Sequence, residues 1–169
     1  MTFSKNQVLK LLNKAVNESS QEYKLLTPIL DFILKIDFEL IDLEKSLLSF
    51  SDLKVELVSN KGKYCDIYYE VTNGNNVDIQ IGYGGEYLYN QMIRNDNDMV
   101  LLRRSLEDIF YRKIIEKITY CGEKIIQSNY TVFHDENFDV EKSNFSANFG
   151  NCWFKKKKIR LTEYSPWIG

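Results

Sequence analysis

At 169 residues, 44% of them hydrophobic, the chain is long enough for one domain with a real core, and its 14% aromatic content excludes a disordered polymer. A formal net charge of −2 gives no overall field to draw in nucleic acid, and no apolar run approaches the ~18 residues that suggest a membrane span. Two prolines and eight glycines leave no room for a long linker, so residues 1–169 read as a single domain.

The opening "MTFSKNQVLK" has no basic region followed by an apolar core, so no secretory signal and a cytoplasmic location are expected. Ser4 followed by Gln7 makes a capping box, and Val8, Leu11, Leu12 and Ala15 give an apolar stripe, which predicts a helix over 5–17. Thr27-Pro28 reads as a second helix start. Ile33, Ile36, Leu40, Leu43, Leu47 and Phe50 then recur at spacings of three and four, which extends that helix over 28–48.

From Leu53 the period changes to two. "LKVELV", "YCDIYYEV" and "VDIQIGY" each alternate apolar and polar residues, and Asn73-Gly74 marks a tight hairpin, so a three-stranded antiparallel meander is expected. "NDND" precedes an amphipathic stretch with Leu102, Leu106, Ile109, Phe110, Ile114 and Ile118 inward, which predicts a helix over 98–120. After Gly122, "KIIQSNYTVF", "NFSANFGNCWF" and "KIRLTEY" return to the strand pattern. The order α-α-β-β-β-α-β-β-(β) describes an α+β fold: one antiparallel sheet of five to six strands packed by three main helices.

Motifs for chemistry are sparse. "GYGGEY" has neither P-loop nor dinucleotide spacing, and its glycines suit a strand end or bulge. Cys65, Cys121, His134 and Cys152 have no CxxC or HxxxH pairing, so no metal site is expected. Free, buried thiols are the simpler reading of the three cysteines. His134 is the sole imidazole, and no motif sets Cys152 or any other nucleophile on an elbow beside it. Asp66 and Asp78 fall on polar strand faces without the E-x-K partner that metal-dependent nucleases use. The expectation is a protein that is not an enzyme and carries no cofactor.

Two charged stretches remain. Asp135, Glu136, Asp139 and Glu141 surround Phe138 on a stretch that reads as a loop, and carboxylates beside an aromatic ring suit a basic protein partner. Five acids and one lysine between Asp31 and Glu44 give the second helix a similar face, and two ordinary solvated faces explain both stretches equally. Lys155 to Lys158 follow Trp153 and Phe154. They read as an edge guard or hairpin turn, as a phosphate grip with stacking rings, or as a basic lid paired to the acids. The partner-binding candidates are Asp135, Glu136, Phe138, Asp139, Glu141, Trp153, Lys155 and Lys157.

Size, a composition rich in Asn, Lys, Ile and Tyr, the α-α-βββ-α-ββ order and the lack of catalytic motifs give a chain that resembles bacterial immunity proteins. These are the small partners that neutralise contact-dependent and other polymorphic toxins. The resemblance carries over no individual residue. It implies a stoichiometric inhibitor that masks a toxin domain, often a basic nuclease, for which the acids from Asp135 to Glu141 would be suited. Such an inhibitor does not need "KKKK", and an acidic partner would make the lysines the docking face. The alternative is a nucleic-acid-binding or nuclease-like protein that grips phosphate through Lys155–Lys158 and Arg160.

Overall fold

The computed structural model describes residues 3–17, 20–60, 62–82, 86–135, 138–146 and 156–169, and for 86–89, 134, 135 and 138–146 it describes the backbone. The fold is α+β, with three helices and two antiparallel sheets among the described residues. The strands expected in one sheet are divided between these two.

Helix α1 (Lys5–Asn17) starts as its sequence predicts, with the Ser4 hydroxyl accepting from Gln7 N at 3.4 Å and Val8 and Ala15 buried. Helix α2 runs over Gln21–Ile33, seven residues earlier than Thr27-Pro28 suggests, and Pro28 lies inside it. Proline removes one backbone donor there. Leu25, Leu26, Ile29, Leu30 and Ile33 are all buried on the same helix, and this burial offsets the lost bond.

Beyond Ile33 the expected helix gives way to a short 3-10 turn at Phe38–Leu40 and strand β1 (Leu47–Ser49). Aspartates cause the break. Asp37 accepts from Glu39 N at 3.1 Å, and Asp42 accepts from both Glu44 N and Lys45 N at 3.2 Å. Short acidic side chains that capture nearby backbone N–H groups offer the chain an alternative to the helix. The acidic helix face expected from Asp31 to Glu44 is therefore not formed. Asp31 sits on α2, while Asp37 and Asp42 cap turns.

The meander forms as expected with β2 (Lys54–Leu57), β3 (Ile67–Thr72) and β4 (Asn76–Ile81), and Asn73 and Gly74 take positive φ in the turn. Strand β5 (Glu86–Met92) completes a first sheet of order β1-β2-β3-β4-β5. Helix α3 (Asp96–Tyr111) is capped by Asn95, which accepts from Asn97 N at 2.9 Å and Asp98 N at 3.1 Å. It ends nine residues short of the predicted boundary because β6 (Lys113–Cys121) begins there. Ile114 and Ile118 fit a helical spacing of four and a strand spacing of two alike. The β-branched run "IIEKIT" favours the strand.

Strands β7 (Lys124–Asp135), β8 (Phe138–Ser146) and β9 (Lys157–Tyr164) join β6 in a second sheet of order β8-β7-β6-β9. Residues from both sheets and all three helices share one apolar cluster. It includes Phe32 stacked on Phe110 at 5.1 Å between ring centres.

A polar seam runs through that core. Glu116 on β6 has no exposed surface, and its Oε2 accepts from the Tyr164 hydroxyl at 2.7 Å. Tyr130 on β7 shares its hydroxyl between Glu116 Oε1 at 2.9 Å and the Ile81 carbonyl, in the first sheet, at 2.5 Å. Gly82 follows at φ +65°, and a Cβ there would stand 2.9 Å from Glu116 Oε1. The glycine thus serves a strand end, as expected, and also gives the carboxyl group its space. After β9 the chain latches back. Trp167 Nε1 donates to the Cys65 carbonyl at 2.9 Å, and Ile168 N donates to the Phe110 carbonyl at 2.9 Å.

Candidate functional site

The second sheet brings the acidic and basic stretches into one element and keeps them apart. Asp135 ends β7 and pairs in register with Phe138, and β8 sets Asp139 opposite Phe133 and Glu141 opposite Thr131. The stretch read as a loop is therefore largely the two arms of a hairpin. Glu136, Trp153 and Lys155 lie outside the described residues. Lys157 and Lys158 are exposed on β9 at the opposite edge, with exposed Lys156 just before them and exposed Arg160 beyond.

Three strand spacings separate β8 from β9, about 14 Å at the usual interstrand distance. That exceeds the screening length of about 8 Å at physiological ionic strength. Placed this way, the β9 lysines do not form a lid over the β8 acids.

The outward face of this sheet can be read from its register. Ile114, Glu116 and Ile118 of β6 point into the core with Val132 and Tyr130 of β7 and Tyr164 of β9. Alternation therefore turns Lys113, Ile115 and Lys117 outward together with Thr131, Phe133, Ile159, Leu161 and Glu163. Ile159 and Leu161 are 61% and 68% exposed, on a strand whose neighbouring positions are lysine and arginine. Lys113 crosses this face, 2.8 Å from Glu163 Oε1 and 5.5 Å from the Phe133 ring centre.

Sequence reasoning named the lysines and missed the two aliphatic residues that follow them, Ile159 and Leu161. The alternation in "KIRLTE" was legible. A strand whose apolar side faces water looks the same in sequence as one whose apolar side is buried.

The chemistry elsewhere is closed off. The Glu116 carboxyl group touches Tyr130 and Tyr164 without any path to solvent, and burial, then the nearby Glu116, pushes both phenols up. Cys65 is free and buried, and its thiol is held well above the usual range, first by burial and then by Glu116 and Asp66. Cys121 is disulfide-bonded, which corrects the expectation of three free thiols; Cys152 lies outside the described residues.

Asp66 accepts from Ser59 N at 2.8 Å, and buried Asp78 accepts from Asn76 and Thr72 at 3.2 and 3.3 Å. Burial raises both carboxyls. Neither is the solvated strand residue its sequence position suggests. Among the described residues no group of three His, Cys, Asp or Glu is gathered for a metal ion, and no helix is long and apolar enough to cross a membrane. A cleft of about 380 Å³ beside the start of α3 is rimmed by Lys24, Arg94 and Asp96. Comparison of the chain with protein-family models, with curated proteins and with solved structures finds no match.

Proposed function

We propose that the chain is a binding protein, not an enzyme, and that it neutralises a cognate bacterial toxin domain by forming a stoichiometric complex in the cytoplasm. The observation that supports this reading is the division of charge across the second sheet. Asp135, Asp139 and Glu141 follow one edge beside the half-buried Phe133, three strand spacings across the sheet from β9 and toward the opposite end from its lysines, which pair with Tyr120 and Cys121. An acidic edge set apart from the lysines of β9 leaves its carboxylates available to a partner, and carboxylates near an aromatic ring suit the phosphate-binding cleft of a basic nuclease.

The test is capture of a one-to-one complex with the toxin-like product of the adjacent reading frame, followed by charge reversal at Asp139 and Glu141. Under this reading the Asp139→Lys, Glu141→Lys protein folds normally and associates with that domain about tenfold more slowly, because steering by complementary charge acts mainly on association. An unchanged association rate would remove the acidic edge from the interface.

A second reading rests on the exposed Lys156 and the exposed Lys157, Lys158 and Arg160 of β9, which could track a phosphate backbone. Nucleic acid offers those cations partners but gives little to Ile159 and Leu161 beside Arg160. Recovery of RNA or DNA that dissociates steeply with salt, and of no protein, would favour this reading over the first.

A further inference from the structure

We propose that β9 pairs with β9 of a second copy of this chain, forming a two-fold dimer whose second sheets merge into one of eight strands. Within the described residues β9 is the edge of its sheet, hydrogen-bonded on one side to β6, and that edge ends at Tyr164, because Ser165 bridges to Tyr64 and its N–H donates to the Lys63 carbonyl at 2.9 Å. An edge strand presents a row of backbone donors and acceptors that can extend the sheet with another strand.

Lysines usually protect such edges against indiscriminate pairing. Here the order of side chains permits one register and disfavours its neighbours. A two-fold axis perpendicular to the sheet keeps both outward faces on the same side, so it sets residues of like parity opposite each other. With the axis at Arg160, Lys157 stands opposite the partner copy's acid at position 163, and Ile159 stands opposite the leucine at position 161. Each of these pairs occurs twice.

All four positions belong to the outward face of β9, and Ile159 and Leu161, 61% and 68% exposed in the single chain, would shield one another. Glu163 already meets Lys113 at 2.8 Å, and its side chain is 64% exposed, which leaves room for a second cation. The one unfavourable pair is Arg160 with its own symmetry mate. Moving the axis to Ile159 sets Lys158 against Arg160 twice and leaves no acid facing a base within β9. Moving it to Leu161 sets Ile159 against Glu163. Within β9, charge and apolar matching coincide only at Arg160.

This inference does not rest on the toxin-binding reading. The seam uses β9 and the acids lie along β8 at the far edge, so both surfaces can be occupied together. In the dimer the two acidic edges would lie at opposite ends of the merged sheet.

Sedimentation of the full chain over a dilution series tests the proposal, with folding of every variant checked by far-ultraviolet circular dichroism. The wild type is expected to be a dimer that dissociates on dilution. Lys157→Glu and Glu163→Lys should each weaken dimerisation on the order of tenfold, since each turns two attractive pairs into repulsive ones. The double exchange should restore the wild-type affinity to within a few-fold, which a merely structural role for either residue would not produce. A wild type that remains monomeric up to its solubility limit would overturn the proposal. So would single variants that dimerise normally, or a double variant as weak as the singles.

Discussion

The two sheets each turn one face outward, and they finish it differently. On the first sheet the polar groups satisfy one another. Lys54 Nζ lies 2.5 Å from Glu56 Oε1 and 4.6 Å from the Tyr68 ring centre, and the Tyr68 hydroxyl donates to Glu70 at 2.6 Å. Burial, followed by that bond to Glu70, pushes the Tyr68 phenol up to about 12. On the second sheet Lys113 and Glu163 make one such pair, while Ile159 and Leu161 stand in water. The centre of the first face is paired with itself, and its exposed apolar residues, Leu47 and Met92 at 39% and 43%, stand apart on its two edge strands and offer a partner less. An apolar edge between charged residues has both area and complementarity to offer.

The seam beneath these faces should dominate stability. Glu116→Ala removes the acceptor of the Tyr164 hydroxyl and opens a cavity, so a loss of about 3–5 kcal/mol in urea unfolding is expected. Gly82→Ala brings a Cβ to 2.9 Å from the same carboxyl group at a φ of +65°, with an expected loss of about 2–3 kcal/mol by the same assay. If either variant unfolds like the wild type, the two sheets do not depend on that seam.

Reagent chemistry gives a sharper contrast between interior and surface. The buried Cys65 thiol, held far above its usual range chiefly by burial, should resist alkylation in the native protein at mildly alkaline pH and react once urea unfolds it. Rapid native labelling would show that the core opens at this point. Titration gives a subtler one. Burial holds Asp78 above its usual range, so the folded chain binds that proton more tightly than the unfolded chain does. Its contribution therefore opposes folding above the raised range and is relieved as pH falls through it. Asp78→Asn should flatten that part of the stability profile, as followed by unfolding at successive pH values.

The smallest effect is expected on the first outward face. Lys54→Met breaks the pair with Glu56 and should change stability by less than about 1 kcal/mol. A larger loss would mean that the self-paired face contributes to the fold, and the contrast between the faces would narrow.

The meander was fully legible in the sequence because its alternation and the Asn73-Gly74 turn point to the same structure. The helix ends were not. Ile36 and Leu40 keep a helical spacing while Asp37 and Asp42 draw the backbone into turns, and Ile114 and Ile118 satisfy both periods at once. Assigning β6 to the helix also hid the seam, because Glu116 then reads as one more polar residue on a solvent-facing side. The acidic and basic stretches could be identified, but not their separation, which depends on β6 and β7 lying between β8 and β9.

The latch formed by Trp167 has a kinetic consequence. Its bond to the Cys65 carbonyl joins positions 102 residues apart, and closing a flexible loop of that length costs about 4 kcal/mol in chain entropy. Contacts so distant in sequence reward the chain late, after most of its ordering is done, and non-local topologies fold slowly for that reason. The helices and the meander can form from near neighbours. Closure of the core around Cys65 needs the far end of the chain, so the surface under Trp167 is among the last that contacts can cover.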